Sequence, residues 1–291
     1  PEKRKGFFGS IPQAGVTIGM LMATFIVSLM TLFSEEDFLS WGWRIPFLLS
    51  SVLVLLGLWI RKDIDETPDF QRVKASGQVA KAPLRDTLKH HWREVLIAAG
   101  LKVVETAPFY IFSTFVVSYA TSTMTYQKSQ ALEAVTLGAL VATIMIPLMG
   151  LLSDKVGRQR MYAISVFVLG LFIVPWFMLL NTGTTWGIVL ATVIAFGVLW
   201  APVTAVLGTL CSEIFSANVR YTGITLGYQL GAALAGGTAP LIATGLLAKY
   251  DGDWVPVAWY LAVTVTISLI AIFCASRVKR ATLIQAQPER L

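Results

Sequence analysis

Eight long apolar runs limit what this chain can fold into. A helix crosses the ~30 Å core of a bilayer with about 20 apolar residues. Backbone groups inside a bilayer must be hydrogen-bonded within their own segment, so we expect these runs to be helices. The runs cover residues 12–32, 45–60, 95–119, 131–152, 161–180, 186–212, 222–247 and 255–275. The sequence therefore predicts an all-α integral membrane protein with eight transmembrane helices.

The charged residues are few and unevenly placed between the two sides of the membrane. Only 14% of the 291 residues are charged, against about a quarter in a soluble domain. If residue 1 lies inside, most of the 23 Lys and Arg residues fall on that side. The exceptions are Arg44, Lys128 and Lys249 on the outer side and Lys102 within a span. The positive-inside rule then predicts that both ends of the chain face the cytoplasm. Because the charges follow the membrane and form no single patch, the net charge of +6 does not indicate a nucleic-acid partner.

An internal repeat relates the two ends of the chain. A shift of 216 positions places Arg4 on Arg220, Gln13 on Gln229, Gly15 on Gly231, Trp43 on Trp259 and Arg61 on Arg277. These matches fall at equivalent points of a two-helix unit. We therefore expect 1–61 and 217–277 to be the last two helices of two related six-helix halves, with four more helices ahead of Pro1 and twelve in all.

The repeat and the hydropathy together predict the domain boundaries. Residues 1–61 form the last two helices of the N-terminal half, and 62–93 form a polar cytoplasmic linker with a short surface helix near 83–91. Residues 94–276 form the C-terminal six-helix half, and 277–291 form a cytoplasmic tail. Small residues recur every four positions at Gly15 and Gly19 and again from Gly223 to Ala235, a spacing that lets membrane helices approach closely. Gln13 and Gln229 are expected to bond helix to helix.

A tight, positively charged loop joins the fourth and fifth apolar runs. It reads GLLSDKVGRQR from residue 150 to 160. Gly157 supplies backbone freedom for a reversal. We expect Asp154 to lie at the N-terminus of the helix that begins near Tyr221, where the helix dipole favours a carboxylate. The predicted conformational switch cluster consists of Gly150, Asp154, Gly157, Arg158, Arg160, Glu213 and Arg220.

The third run contains the only charges deep in an apolar segment. Lys102 and Glu105 are three residues apart and share a helix face. A charge at the centre of a bilayer helix costs about 2.5–3.5 kcal/mol. One interpretation is an ion pair that locks helices together; the other, which we favour, is a proton- or substrate-handling site that faces a central, water-filled cavity. Further candidates for the cavity wall are Tyr110, Trp200, Thr204 and Tyr228.

Several strings resemble one family of secondary transporters. They are the 150–160 loop, GFFGSIPQAGVTIG at 6–19, WGWRIPFLLS at 41–50 and EIFSANVRYTG at 213–223. The chain resembles the major facilitator superfamily and, within it, the metabolite:proton symporters, which include shikimate, α-ketoglutarate, citrate and proline/betaine permeases. The resemblance implies a major facilitator fold of twelve helices in the bacterial inner membrane, alternating access, and solute uptake driven by proton entry. It also implies a coupling role for Glu105 and an anion-attracting role for Lys102. Thr106 departs from the family pattern, in which Asn is expected.

Together these features predict a proton-coupled symporter, functional as a monomer, that imports a small organic acid. A shikimate-like or other carboxylate solute is favoured because Lys102 offers a positive centre. One alternative is the same machine carrying a zwitterion such as proline or betaine, and another is a non-transporting receptor or scaffold on the same fold. We expect no cofactor, metal or nucleic-acid partner. An enzyme is disfavoured because the sequence has no nucleophile–base pair, metal-ligand cluster or phosphate-binding glycine loop.

Overall fold

The computed structural model describes residues 4–30, 35–62, 71, 83–215 and 219–285. Helices fill nearly all of these residues, and no strand occurs among them. Eight helical spans are long and apolar enough to cross a membrane, which confirms the predicted number and order. In chain order the spans are Lys5–Ile26, Gly42–Lys62, Trp92–Ser122, Lys128–Val156, Arg158–Leu180, Thr185–Ser212, Arg220–Lys249 and Val255–Arg277.

Five spans contain one α-helix each, and they are called here by their order in the chain. The first, second, fourth, fifth and eighth spans are the helices Lys5–Met30, Ile45–Lys62, Lys128–Val156, Arg158–Leu180 and Val255–Gln285. Two short helices, Glu35–Ser40 and Pro83–His90, lie outside the spans. Pro83–His90 confirms the short helix predicted near 83–91. Residues 63–70 and 72–82 of the predicted linker and 286–291 of the predicted tail lie outside the described residues, and the domain boundaries stay a prediction.

The other three spans are each interrupted by a π-helical segment. The third span consists of the helix Trp92–Tyr110, the π segment Ile111–Phe115 and the helix Val116–Ser122. The sixth consists of the helix Thr185–Thr192, the π segment Val193–Leu199 and the helix Ala201–Ser212. The seventh consists of the helix Arg220–Gly231, the π segment Ala232–Gly236 and the helix Ala239–Lys249. Such π segments are uncommon and often mark functional sites. The same three spans surround the buried charges.

The third span, like the sixth, is largely enclosed by the rest of the bundle. It packs against the seventh and eighth spans and also contacts the sixth. Leu101 and Val104 have no exposed surface. Glycines of the seventh span permit this approach, because a Cβ added to Gly231 would lie 2.7 Å from the Cβ of Lys102. The close contact of small residues therefore brings the seventh span against the charged turn of the third.

The first span packs against the fourth and sixth spans. A pair of glycines, Gly6 and Gly150, lies at its contact with the fourth. A Cβ added to Gly6 would lie 2.6 Å from the carbonyl oxygen of Gly150, so the two backbones touch. Farther along, the hydroxyl oxygens of Thr17 and Thr143 are 2.7 Å apart. Gly15 of the first span, by contrast, has no described atom within 4 Å of its added Cβ. Of the predicted small-residue ridges, the one on the seventh span is buried, whereas the one at Gly15 contacts no described neighbour.

Replacing Gly6 by Ala should destabilise the protein, because the new methyl group would meet the backbone of the fourth span. We expect a loss of about 1–3 kcal/mol, the range of overpacking substitutions. Gly15→Ala is the matched control on the same helix. It gains the better helix propensity of Ala without a clash. Thermal unfolding of the two purified variants measures the difference, and equal unfolding temperatures would contradict the close approach at Gly6.

Candidate functional site

Lys102 and Glu105 form a buried ion pair on one turn of the third span. The ammonium nitrogen of Lys102 is 2.5 Å from Glu105 Oε2. The two side chains are only 16% and 9% exposed. They point inward, because Thr204 of the sixth span contacts Glu105 and Tyr228 of the seventh span contacts Lys102. Because both charges lie within hydrogen-bond distance, neither is left uncompensated in the apolar bundle.

Two threonines complete the surroundings of the carboxylate. Thr204 of the sixth span donates its hydroxyl proton to Glu105 Oε1 over 3.0 Å. The hydroxyl of Thr106 lies 3.0 Å from Glu105 Oε2 and 2.9 Å from the carbonyl oxygen of Lys102. A hydroxyl has one proton, so Thr106 can donate to only one of these acceptors at a time. Both carboxylate oxygens therefore have donors within reach.

Side chains from three other spans bind the backbone of this part of the third span. The indole N–H of Trp200 donates to the carbonyl oxygen of Glu105 over 2.7 Å. The Tyr162 hydroxyl donates to the carbonyl oxygen of Leu101 over 2.6 Å. The Ser268 hydroxyl donates to the carbonyl of Gly100 over 2.6 Å and accepts from the next turn of the same span. The turn that carries the ion pair is thus held from the fifth, sixth and eighth spans at once.

The aromatic side chains predicted to line a cavity occupy two levels. The Lys102 ammonium lies 4.8 Å from the centroid of the Tyr228 ring, a cation–π arrangement. Tyr110 lies one turn beyond Glu105 and is 37% exposed. Its ring packs edge to face on Phe109, which in turn lies 5.2 Å from the ring of Trp200. Lys102, Trp200, Thr204 and Tyr228 therefore gather around Glu105, whereas Tyr110 stands apart from the ion pair.

Sequence reasoning missed two residues that hold the site. Tyr162 and Ser268 lie far from the pair in the chain, and both side chains are among the buried ones. A lone hydroxyl in an apolar run carries no signal of its partner, because its bond depends on helix packing. Trp200 and Thr204, both predicted cavity-wall residues, bind Glu105 through their polar atoms; their place in a cavity wall stays a prediction.

The loop of the predicted switch cluster binds the first span. Asp154 accepts from the backbone N–H groups of Gly6 over 2.8 Å and Phe7 over 3.1 Å. A carboxylate at this position satisfies N–H groups of the first helical turn and opposes the positive end of the helix dipole. Arg158 contacts the same carboxylate over 3.1 Å. The prediction that Asp154 lies at the helix beginning near Tyr221 is wrong: it lies at the equivalent helix of the repeat, 216 positions earlier.

Arg158 connects this loop to a second span. Its guanidinium also forms a close ion pair with Glu213, at the end of the sixth span. Gly157 has a φ of 95°, which explains why the chain reverses at a glycine. A cavity of about 370 Å³ lies beside these residues, with Arg160 in its wall. Arg220 donates to the carbonyl oxygen of Phe215 over 3.3 Å and does not reach Asp154. The loop therefore joins the first and sixth spans to the end of the fourth.

Among the described residues no group of three His, Cys, Asp or Glu side chains is placed to hold a metal ion. A model described as the Major Facilitator Superfamily matches residues 1–236. The chain belongs to the major facilitator superfamily.

Individual facilitators resemble nearly the whole chain. The "Shikimate transporter" of Escherichia coli (strain K12) is 32% identical over 284 residues, which cover 97% of this chain and 65% of that protein. The "Inner membrane metabolite transport protein YhjE" of the same organism is 30% identical, with the same shares covered. The "Proline/betaine transporter" of that organism is 28% identical over 93% of this chain and 55% of its own length. The chain thus spans less than two thirds of the length of these relatives. All three are named for transport, in agreement with the prediction that the chain is not an enzyme.

Trp200→Phe should destabilise the protein by removing the donor to the backbone of Glu105. The matched control is Trp176→Phe, because both indoles are buried while the N–H of Trp176 has no hydrogen-bond partner among the described residues. Both changes remove the same volume. We expect Trp200→Phe to cost about 1–3 kcal/mol more, the penalty of leaving one buried polar group unpaired. Thermal unfolding in detergent measures this difference, and equal losses would show that the Trp200–Glu105 bond contributes nothing to stability.

Proposed function

We propose that this chain is the ion-coupling part of a proton-coupled symporter that imports a small organic acid by alternating access. The buried Lys102–Glu105 pair carries the proposal. A titratable pair in a membrane helix is expensive to keep, and these two side chains lie between the three spans that contain π segments. Tyr162, Trp200 and Ser268 hold the backbone around them, so the pair has a fixed position from which it can act.

In the proposed cycle, a proton that reaches Glu105 neutralises the carboxylate. The carboxyl group then has one O–H to donate and one oxygen left to accept, so the Thr204 hydroxyl keeps a partner. Lys102 loses its counter-charge and becomes free to bind a solute carboxylate. When the solute leaves, the ammonium group again attracts a carboxylate, and Glu105 releases its proton to the compartment that the solute entered. One proton and one solute anion thereby move together.

The switch cluster supplies the conformational part of the proposal. Asp154 and Arg158 tie the loop to the first helical turn of the first span, and Arg158 also ties it to Glu213. In this proposal the contacts hold one end of the bundle closed. We propose that this end faces the cytoplasm, that the protein lies in the bacterial inner membrane, and that both ends of the chain are cytoplasmic. The positive charges on that side support the orientation, and one relative is named an inner membrane protein.

A zwitterionic solute such as proline or betaine is the second candidate. The similarity to proteins named proline/betaine transporters supports it. A zwitterion offers the same carboxylate to Lys102, and its cationic group could lie on an aromatic ring such as that of Tyr110. The organic acid remains the first choice because, among the described residues, no buried carboxylate besides Glu105 is available to pair with the cationic group of a zwitterion. We further propose that the protein works as a monomer.

Glu105→Gln should abolish uphill accumulation and leave solute exchange intact. The amide keeps the shape of the carboxyl group and cannot accept or release a proton. Uptake of labelled shikimate and glycine betaine into vesicles with an imposed pH gradient measures accumulation, and counterflow without a gradient measures exchange. Glu133→Gln is the control, because Glu133 is an exposed carboxylate of the fourth span. Accumulation by Glu105→Gln equal to that of the parent would remove Glu105 from the coupling step.

Asp154→Asn should open the end of the bundle that the loop closes. The change removes the charge that faces the first span and pairs with Arg158, an interaction worth about 0.3–2 kcal/mol at a helix end. The ratio of closed to open forms should therefore fall about 2-fold to 30-fold. Dipolar broadening of the continuous-wave electron paramagnetic resonance spectrum of spin labels at positions 8 and 155, a measurement suited to such short distances, reports this ratio. Asp253→Asn is the control, since Asp253 caps the eighth span away from this loop. An unchanged distance distribution in Asp154→Asn would exclude the switch role.

A further inference from the structure

Two polar groups near the ion pair take no part in the contacts described so far. The hydroxyl oxygen of Tyr228 is buried and has no hydrogen-bond partner among the described residues. The thiol of Cys211 is close enough to interact with this hydroxyl, but sulfur is a weak hydrogen-bond partner and leaves the hydroxyl without a strong one. The side-chain amide of Gln13, on the first span, likewise forms no hydrogen bond to a described residue. Both Gln13 and Gln229 were expected to bond helix to helix, and neither does so in the described part of the chain.

Gly208 of the sixth span brings these two groups over one small area. A Cβ added to Gly208 would lie 3.4 Å from Gln13 Nε2 and 3.9 Å from the Tyr228 hydroxyl oxygen. The amide of Gln13 and the hydroxyl of Tyr228 therefore border the same small area above Gly208. The first span supplies Gln13, and the seventh supplies Tyr228, whose ring lies against the Lys102 ammonium. The area thus adjoins the ion pair on one side and the first span on the other.

The chemistry of this area differs from that of Lys102. Leaving a buried hydroxyl unpaired costs free energy, and an unpaired buried group of a native protein calls for an explanation. An amide and a phenol each have a donor and an acceptor but no charge. They match a hydroxyl group, which also donates and accepts. They match a quaternary ammonium group poorly, because such a group has no hydrogen to donate and no lone pair.

We infer that Gln13, Gly208 and Tyr228 form a hydroxyl-binding subsite and that the solute is a small hydroxylated carboxylate. Its carboxylate binds Lys102, and one of its hydroxyl groups lies over Gly208 between the amide and the phenol. The inference rests on the proposed function, since it specifies the solute of the same site. Gly208 is required because a methyl group there would project into the space that the solute hydroxyl needs.

Equilibrium binding to the full-length protein in lipid nanodiscs tests the subsite without any gradient. The probes are labelled shikimate and its competitor 1-cyclohexenecarboxylate, which has the same ring and carboxylate and no hydroxyl. The parent protein should bind shikimate at least about tenfold more tightly, the effect of one hydrogen bond to a ligand. Similar affinities for the two acids, or no binding of shikimate, would overturn the inference.

Two substitutions locate that preference. Tyr228→Phe and Gly208→Ala should each weaken shikimate binding about tenfold and change the affinity for 1-cyclohexenecarboxylate less than about twofold. Gly208→Ala fits without a clash, since both distances are ordinary contacts. Gly245→Ala, a glycine of the seventh span with open space around it, should change neither affinity. Equal weakening of both acids in the two variants would overturn the inference.

Thermal unfolding without ligand separates a ligand-binding hydroxyl from a structural one. Tyr228→Phe should leave the unfolding temperature unchanged or raise it, because the lost group is unpaired in the folded protein. A clear decrease would assign the hydroxyl to the structure and overturn the inference. The proposed function fails on a different result, uphill accumulation by Glu105→Gln. That result would leave a measured preference for hydroxylated acids in place, so the two failures are distinguishable.

Discussion

An ion pair inside a membrane bundle is the constraint on which the rest of this structure depends. Lys102 and Glu105 would be costly in lipid, and the fold places them on the third span, which the bundle largely encloses. Glycines of the seventh span let that helix approach the charged turn. Side chains of the fifth, sixth and eighth spans bond its backbone, and Thr204 bonds the carboxylate itself. These contacts leave each charge compensated and fix the position of the pair, as the proposed coupling mechanism requires.

The sixth span connects the parts of the molecule that the proposed mechanism uses. Thr204 contacts Glu105, Gly208 lies beneath Gln13 and Tyr228, and Glu213 at the end of the helix pairs with Arg158. At 1.5 Å per residue, the first and last of these lie roughly 13 Å apart along one helix. In the proposed cycle, a change of charge at Glu105 alters a contact of this helix at one end. The loop that binds the first span responds at the other end.

The fold was largely predictable from sequence, whereas the site was predictable only in part. Apolar length fixes the number of spans, and the position of Lys102 and Glu105 on one helix face follows from their spacing. The partners of a hydroxyl or an indole depend on helix packing, so the bonds of Tyr162, Ser268 and Trp200 had no signal in the sequence. Asp154 illustrates the limit: the sequence indicates a carboxylate at a helix start but cannot choose between two helices that the repeat makes alike.

The proposed account makes protonation of Glu105 the event that frees Lys102 for the solute, and this step can be measured directly. A pH indicator in weakly buffered solution reports the protons that the purified full-length protein takes up when shikimate binds. The account predicts net proton uptake on binding at a pH where the unliganded pair is ionised, and none in Glu105→Gln under conditions where that variant still binds. Solute binding without proton uptake by the parent, or equal uptake by the variant, would contradict it.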